Sequence, residues 1–113
     1  MSRAYELAVI VDGELDEPVA QAKVKSISDQ IAAAGGTVVG SPLWWGKRRF
    51  QYEIAKKWEG YYFFLNVVAQ GGALDGLERS LRLADDIVRH KLIRLPDAEA
   101  RKRNMGAAAD AAA

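Results

Sequence analysis

Gly60–Ala69, GYYFFLNVVA, is the most hydrophobic run in the chain, and the fold turns on how it is read. It is bordered by turn residues, Lys56 to Gly60 before it and Gly71-Gly72 after it. A short apolar run between such signals predicts a strand buried in the middle of a sheet. Successive side chains of a strand point to opposite faces. Asn66 assigns them: Tyr61, Phe63, Leu65 and Val67 are purely apolar, whereas Tyr62, Phe64 and Val68 share a side with Asn66. The first set is expected to pack beneath helices, and the second to line a face left partly free.

Working outward, the strand before it is long, from about Thr37 to Ala55, and contains the stretch Leu43–Lys57, LWWGKRRFQYEIAKK. Phe50, Tyr52 and Ile54 alternate with polar residues, as in a half-buried strand. Pro42 cannot donate to a ladder, so this strand belongs at a sheet edge, at least there. Gly46 marks a bulge or a close backbone approach. Upstream, Tyr5–Val11, YELAVIV, is a strand whose odd positions are all apolar. Asp12-Gly13 closes it with turn chemistry. Asp16 and Pro18 open a helix. Its stripe of Ala20, Val24, Ile27, Ile31 and Ala34 recurs at helical spacing. Gly35-Gly36 stops it by supplying positive φ. Downstream, Leu74, Leu77, Leu81 and Ala84 form the buried face of a second helix over Ala73–Ala84. Ile87–Leu95 reads as the last strand, and Pro96 ends the fold.

The order strand, helix, strand, strand, helix, strand, with crossovers after the first and third strands, fits an α+β, ferredoxin-like βαββαβ sandwich. It predicts a four-stranded antiparallel sheet with helices at about Pro18–Ala34 and Ala73–Ala84 on one face. Residues 1–96 form this domain. Residues 97–113, DAEARKRNMGAAADAAA, are basic and then alanine-rich. Glu99 to Met105 could form a helical turn or two on a partner, but with no evident apolar face the segment is expected to be disordered when free. Arg101-Lys102-Arg103 reads either as a solvated tail or as a phosphate-binding extension.

With 113 residues, half of them hydrophobic, the chain has the size and composition of one soluble globular domain. It has no cysteine, which excludes disulfides, thiolate metal sites and cysteine nucleophiles. No apolar run approaches the length of a membrane helix, and no signal-peptide pattern opens the chain, so a cytoplasmic protein is the expectation. The formal net charge is only +1, but its distribution is uneven. Residues 1–35 carry three basic and six acidic side chains, a balance of −3, and the remainder carries a balance of +4. Phosphate binding follows the local patch rather than the total.

Catalytic constellations are thin. His90, the sole histidine, is in phase with Val88 and Leu92 on a strand and reads as a packed or sheet-edge residue rather than a base. Asp85-Asp86 is too weak a signal for a metal, the serines lie in no nucleophile elbow, and the glycine pairs spell neither a P-loop nor a dinucleotide fingerprint. No enzyme activity, cofactor or metal is expected. An acylphosphatase-type enzyme of this topology would need a phosphate cradle after the first strand, where Asp12–Glu17 is acidic instead.

Cations beside aromatics on a strand offer a surface for phosphates and bases. RNA-recognition domains of this topology place aromatics on the third strand in a defined pattern. Here Glu59 replaces the leading cation, Tyr62 the small residue and Asn66 the final aromatic, so base stacking on the sheet face is not supported. Lys47, Arg48 and Arg49, with Arg79, Arg82, Arg89, Lys91 and Arg94 of the second helix and last strand, are the candidate RNA-binding residues. The bland alternative for a strand rich in cations and aromatics is a packed core with a solvated edge. Trp44 and Trp45 are adjacent, so one is expected to pack inward and the other to stay exposed as an anchor for a partner.

Taken together, Tyr5-Glu6, Gly35-Gly36, Trp45-Gly46-Lys47-Arg48, Tyr52, Gly60-Tyr61-Tyr62, Glu78-Arg79, Leu81-Arg82 and Arg89 carry a resemblance. Over roughly residues 4–95 the chain resembles the family of the sixth protein of the bacterial small ribosomal subunit. Phe50-Gln51-Tyr52 departs from the family's usual Leu-Ala-Tyr, and Trp44 is an extra aromatic. The resemblance implies a non-catalytic structural protein of the subunit platform. It would bind the central domain of small-subunit ribosomal RNA as a heterodimer with the eighteenth small-subunit protein, without cofactor, membrane or small-molecule substrate. A free-standing ferredoxin-like regulator that binds a small molecule on its open sheet face is the alternative.

Overall fold

The computed structural model of the chain describes residues 2–105. Along the chain run β1 (Ser2–Asp12), α1 (Glu17–Ala33), β2 (Thr37–Ile54), β3 (Lys57–Gln70), α2 (Asp75–Leu83), β4 (Ile87–Arg94) and α3 (Asp97–Lys102). The strands form one antiparallel sheet in the order β2-β3-β1-β4, the ferredoxin-like arrangement expected. β3 is central. β2, with Pro42, is an edge, so a missing N–H there costs no ladder bond.

The face assignment from Asn66 is the one observed. Tyr61, Phe63, Leu65 and Val67 are buried with Leu7, Val9 and Val11 of β1 under both long helices. Ala20, Ile27 and Ile31 of α1 and Leu77 and Leu81 of α2 cover them. The Tyr61 hydroxyl donates to the Leu15 carbonyl at 2.8 Å, which satisfies the one polar atom that this ring carries into the core. Gly35, at φ 87°, turns the chain out of α1, and the amide of Gly36 donates to the Ile31 carbonyl at 2.9 Å.

Two segments differ from the sequence reading. The turn assigned to Lys56–Gly60 falls instead on Ala55 and Lys56, both with positive φ (50° and 64°), and β3 begins at Lys57. Gly60 is not a turn residue. It lies where Ile10 and Phe50 close over the backbone: an added Cβ would stand 2.9 Å from the tip of the Phe50 ring and nearer still to Ile10.

The second difference is beyond Pro96. Residues 97–105 lie on the sheet face opposite α1 and α2 rather than standing free as a tail. Ala100 and Met105 are buried against Ala4, Val68 and Leu95. The Arg103 guanidinium donates to Glu6 at 3.0 Å, Asn66 at 3.2 Å and Glu99 at 2.9 Å. Glu6 and Asn66 are directly paired across β1 and β3, so one side chain of the tail spans two strands. The apolar face that is not evident in the tail's sequence is assembled by the turn after α3, where the Met105 amide donates to the Ala100 carbonyl at 2.7 Å. The alanine-rich end, residues 106–113, lies outside the described residues.

Candidate nucleic-acid interface

The sheet face that α1 and α2 leave free is divided in two. α3 and Met105 cover the part around Ala4 and Val68. The remainder is built on Tyr62 and Phe64 of β3, paired with Ile10 and Ala8 of β1. At the β2 edge the register shifts between Trp44 and Gly46, with Gly46 at φ 80°. The two tryptophans, neighbours on the strand, point to opposite faces. Trp44 packs on the core, stacked on Tyr61 at 5.7 Å and Phe63 at 6.4 Å. Trp45 meets Phe64 edge-on at 4.6 Å and Tyr62 at 6.1 Å on the free face, with 48% of its surface in solvent. One tryptophan packs inward and the other stays exposed, as expected, and the exposed one is Trp45. Trp44, also a candidate partner anchor, has its ring engaged within the domain.

The eight candidate cations do not converge on one patch. Arg48 lies 5.5 Å from the Trp45 ring on the free face. Arg89 and Lys91 of β4 pair with Ile10 and Ala8, which puts them on that same face. Lys47 pairs with Tyr61 in register, and its ammonium lies 3.5 Å from Glu59. Arg49 sits over the Trp58 ring at 5.6 Å, near the turn between β2 and β3. Arg94 pairs with Tyr5 and so projects on the helix side of the sheet. Arg79 and Arg82 are on α2, and both are exposed. Among the described residues, Lys47 alone of the eight has a carboxylate within ion-pairing distance. Of the carboxylates nearby in sequence, Glu78 is engaged with His90 at 3.3 Å and Asp86 with Lys23.

Arg103 is the cation the sequence reading placed differently. Its hydrogen bond to Glu99, against the penalty of burial, and its further bond to Glu6 raise its pKa, so it is a charged internal clamp rather than a free phosphate ligand. The Glu99–Arg103 spacing of four residues was a legible signal for the first of these contacts. At the other end of the sheet, burial would raise the Asp12 carboxyl. The Glu14 backbone N–H and the Lys57 ammonium outweigh it and hold the group below its usual value. Lys57 is raised in turn, chiefly by its hydrogen bond to Asp12. Among the described residues no three His, Asp or Glu side chains are placed to hold a metal ion.

The family model described as Ribosomal protein S6 matches residues 4–94. The chain is 42% identical over 94 residues to the small ribosomal subunit protein bS6 of Carboxydothermus hydrogenoformans, covering 83% of this chain and 97% of that protein. It is 40% identical over 92 residues to bS6 of Micrococcus luteus, covering 81% and 90%. The crystal structure of 30S ribosomal protein S6 from Thermotoga maritima superposes with a TM-score of 0.81 at 28% identity, over 92% of this chain and 97% of that one.

Proposed function

The chain belongs to the ribosomal protein S6 family, a structural and non-enzymatic family of the small ribosomal subunit, and from that premise we propose its contacts there. It binds the central domain of small-subunit ribosomal RNA on the platform, as a heterodimer with the eighteenth small-subunit protein, in the cytoplasm. The observation that carries this reading is the free sheet face. Trp45 stands half exposed there with Arg48 at its ring, and Arg89 and Lys91 lie on the same face at the opposite, β4 edge of the sheet. None of the three cations has a carboxylate partner among the described residues. An aromatic anchor with a packed base is the form of a protein-protein hot spot. Cations on the same face neutralise phosphates and release counterions, so RNA and partner protein can share one rigid support.

Two measurements test it. The protein should co-sediment with small-subunit particles, and replacing Lys47, Arg48 and Arg49 together by alanine should flatten the salt dependence of RNA association by about 0.7–0.9 in slope for each phosphate no longer neutralised. Trp45→Ala should weaken heterodimer formation while leaving the unfolding midpoint nearly unchanged. An unaltered slope removes the triplet from the RNA interface, and failure to co-sediment overturns the whole reading.

A further inference from the structure

The β2–β3 hairpin extends past the rest of the sheet. β1 ends its pairing with β3 at Asp12–Gly60, whereas β2 and β3 continue through Arg49–Glu59 to Ile54–Lys57. Residues 49–59 therefore form an arm with no strand beside them on the β1 side. Two aromatics are conspicuous on it: Tyr52 is 64% exposed and Trp58 46% exposed. Neither packs in the core clusters, and the Arg49 guanidinium lies over the Trp58 ring.

The arm is anchored at its base. The Gly13 amide donates to the Glu59 carbonyl at 3.2 Å, and Lys57 bridges Asp12 at 3.1 Å and Glu14 at 3.5 Å. Phe50 is buried over Gly60. These contacts also sort the charge. Residues 47–59 hold five cations (Lys47, Arg48, Arg49, Lys56, Lys57) and two carboxylates (Glu53, Glu59), a balance of +3. Lys57 and Lys47 face the base carboxylates Asp12, Glu14 and Glu59. Arg48, Arg49 and Lys56 are left without a carboxylate partner among the described residues, with Glu53 as the opposing charge toward the tip. An exposed indole with a guanidinium beside it, on a backbone already held in place, binds with little ordering cost. Unpaired bases stack on such rings while arginine and lysine hold the adjoining phosphates.

We propose that this arm is an RNA contact separate from the free sheet face, in which Trp58, with Tyr52 nearby in sequence, stacks an unpaired base of the RNA, and Arg49 and Lys56 hold its phosphates. The inference rests on the RNA-binding reading above and assigns that reading a stacking residue. The test is equilibrium binding of a labelled central-domain transcript to the full chain, with and without the partner protein, across a salt series. Trp58→Ala should weaken RNA binding about tenfold with the salt slope unchanged, since stacking carries no counterion. Trp58→Phe should restore most of the affinity. Arg49→Ala with Lys56→Ala should instead reduce the slope. If the parent protein binds no RNA, the RNA reading and the arm fall together. If the parent binds and Trp58→Ala binds equally well, or if Trp58→Ala weakens only the heterodimer, the arm alone is overturned. An unchanged unfolding midpoint for Trp58→Ala ties the weaker binding to the missing ring rather than to a failure of folding.

Discussion

Tyr61 and Phe63 leave β3 on one side, and Tyr62 and Phe64 leave it on the other. The side chains are the same two kinds in the same order, yet Tyr61 and Phe63 are buried and Tyr62 and Phe64 only partly so. Intrinsic hydrophobicity does not separate the pairs; what the rest of the chain lays over them does. Two amphipathic helices close one face, while the other receives one short helix over part of its area and keeps Trp45 at its rim. A face that buries its aromatics among its own residues supplies stability. A face that supports aromatics from below and leaves them open above supplies recognition.

The sharpest way to break this comparison is to truncate both faces. Phe63→Ala removes a fully buried ring from the helix-covered core and should cost about 3–5 kcal/mol of unfolding free energy in urea titration. Phe64→Ala, on the free face, should cost clearly less; equal losses would mean that the faces are energetically alike. The α3 patch should fall between. Met105 is fully buried, but in a small cluster, so Met105→Ala should cost about 2 kcal/mol, with amide exchange rising in α3 before it rises in β3.

A smaller effect comes from the Asp12–Lys57 pair beneath the arm. The folded-state pKa of Asp12 is held below the ordinary value of 3.8, so the folded form binds this proton less readily than the unfolded form. Its stabilising contribution is then fully present above that value and is lost as pH falls through the lower folded-state pKa. The acid limb of the unfolding midpoint should be shallower in Asp12→Asn than in the parent, with the curves converging at the lowest pH. The least effect is expected at Lys25–Asp29 on α1, whose side chains are 80% and 66% exposed. Asp29→Asn should leave the midpoint unchanged within error, since solvent and salt screen such pairs.

Much of this organisation was legible because single residues carried unambiguous physics. Asn66 could not belong to a purely apolar face, so it sorted every side chain of β3, and Pro42 could not sit in a central strand, so it placed β2 at the edge. The split between Trp44 and Trp45 followed from strand geometry, but which one faces inward depended on the Gly46 bulge, and alternation cannot count across a bulge. The hairpin turn was misplaced because Ala55 and Lys56 adopt positive φ without the glycine or asparagine that normally announces it, while Gly60 advertises a turn and serves a packing need. The docking of α3 on the chain's own sheet was not legible because its partners, Ala4, Glu6, Asn66 and Val68, are distant in sequence, so no local period reveals an apolar face. The cations could be named but not grouped, since their faces follow from strand register.

The Arg103 clamp bears on how the chain reaches its fold. Glu6 and Arg103 are 97 positions apart, so the first strand to be synthesised waits for the last described helix before its polar contacts are complete. β1 lies inside the sheet, and both of its neighbours, β3 and β4, emerge after it. During synthesis β1 therefore has two unpaired edges, then one, and long-range pairing of this kind makes folding slow and exposes strand edges meanwhile. A nascent chain stalled at Gln70 should be cut rapidly by protease, and one released beyond Met105 should resist. Residues 97–105 close the domain, and a chain a few residues short of Met105 would present a β1–β3 seam without its fastening.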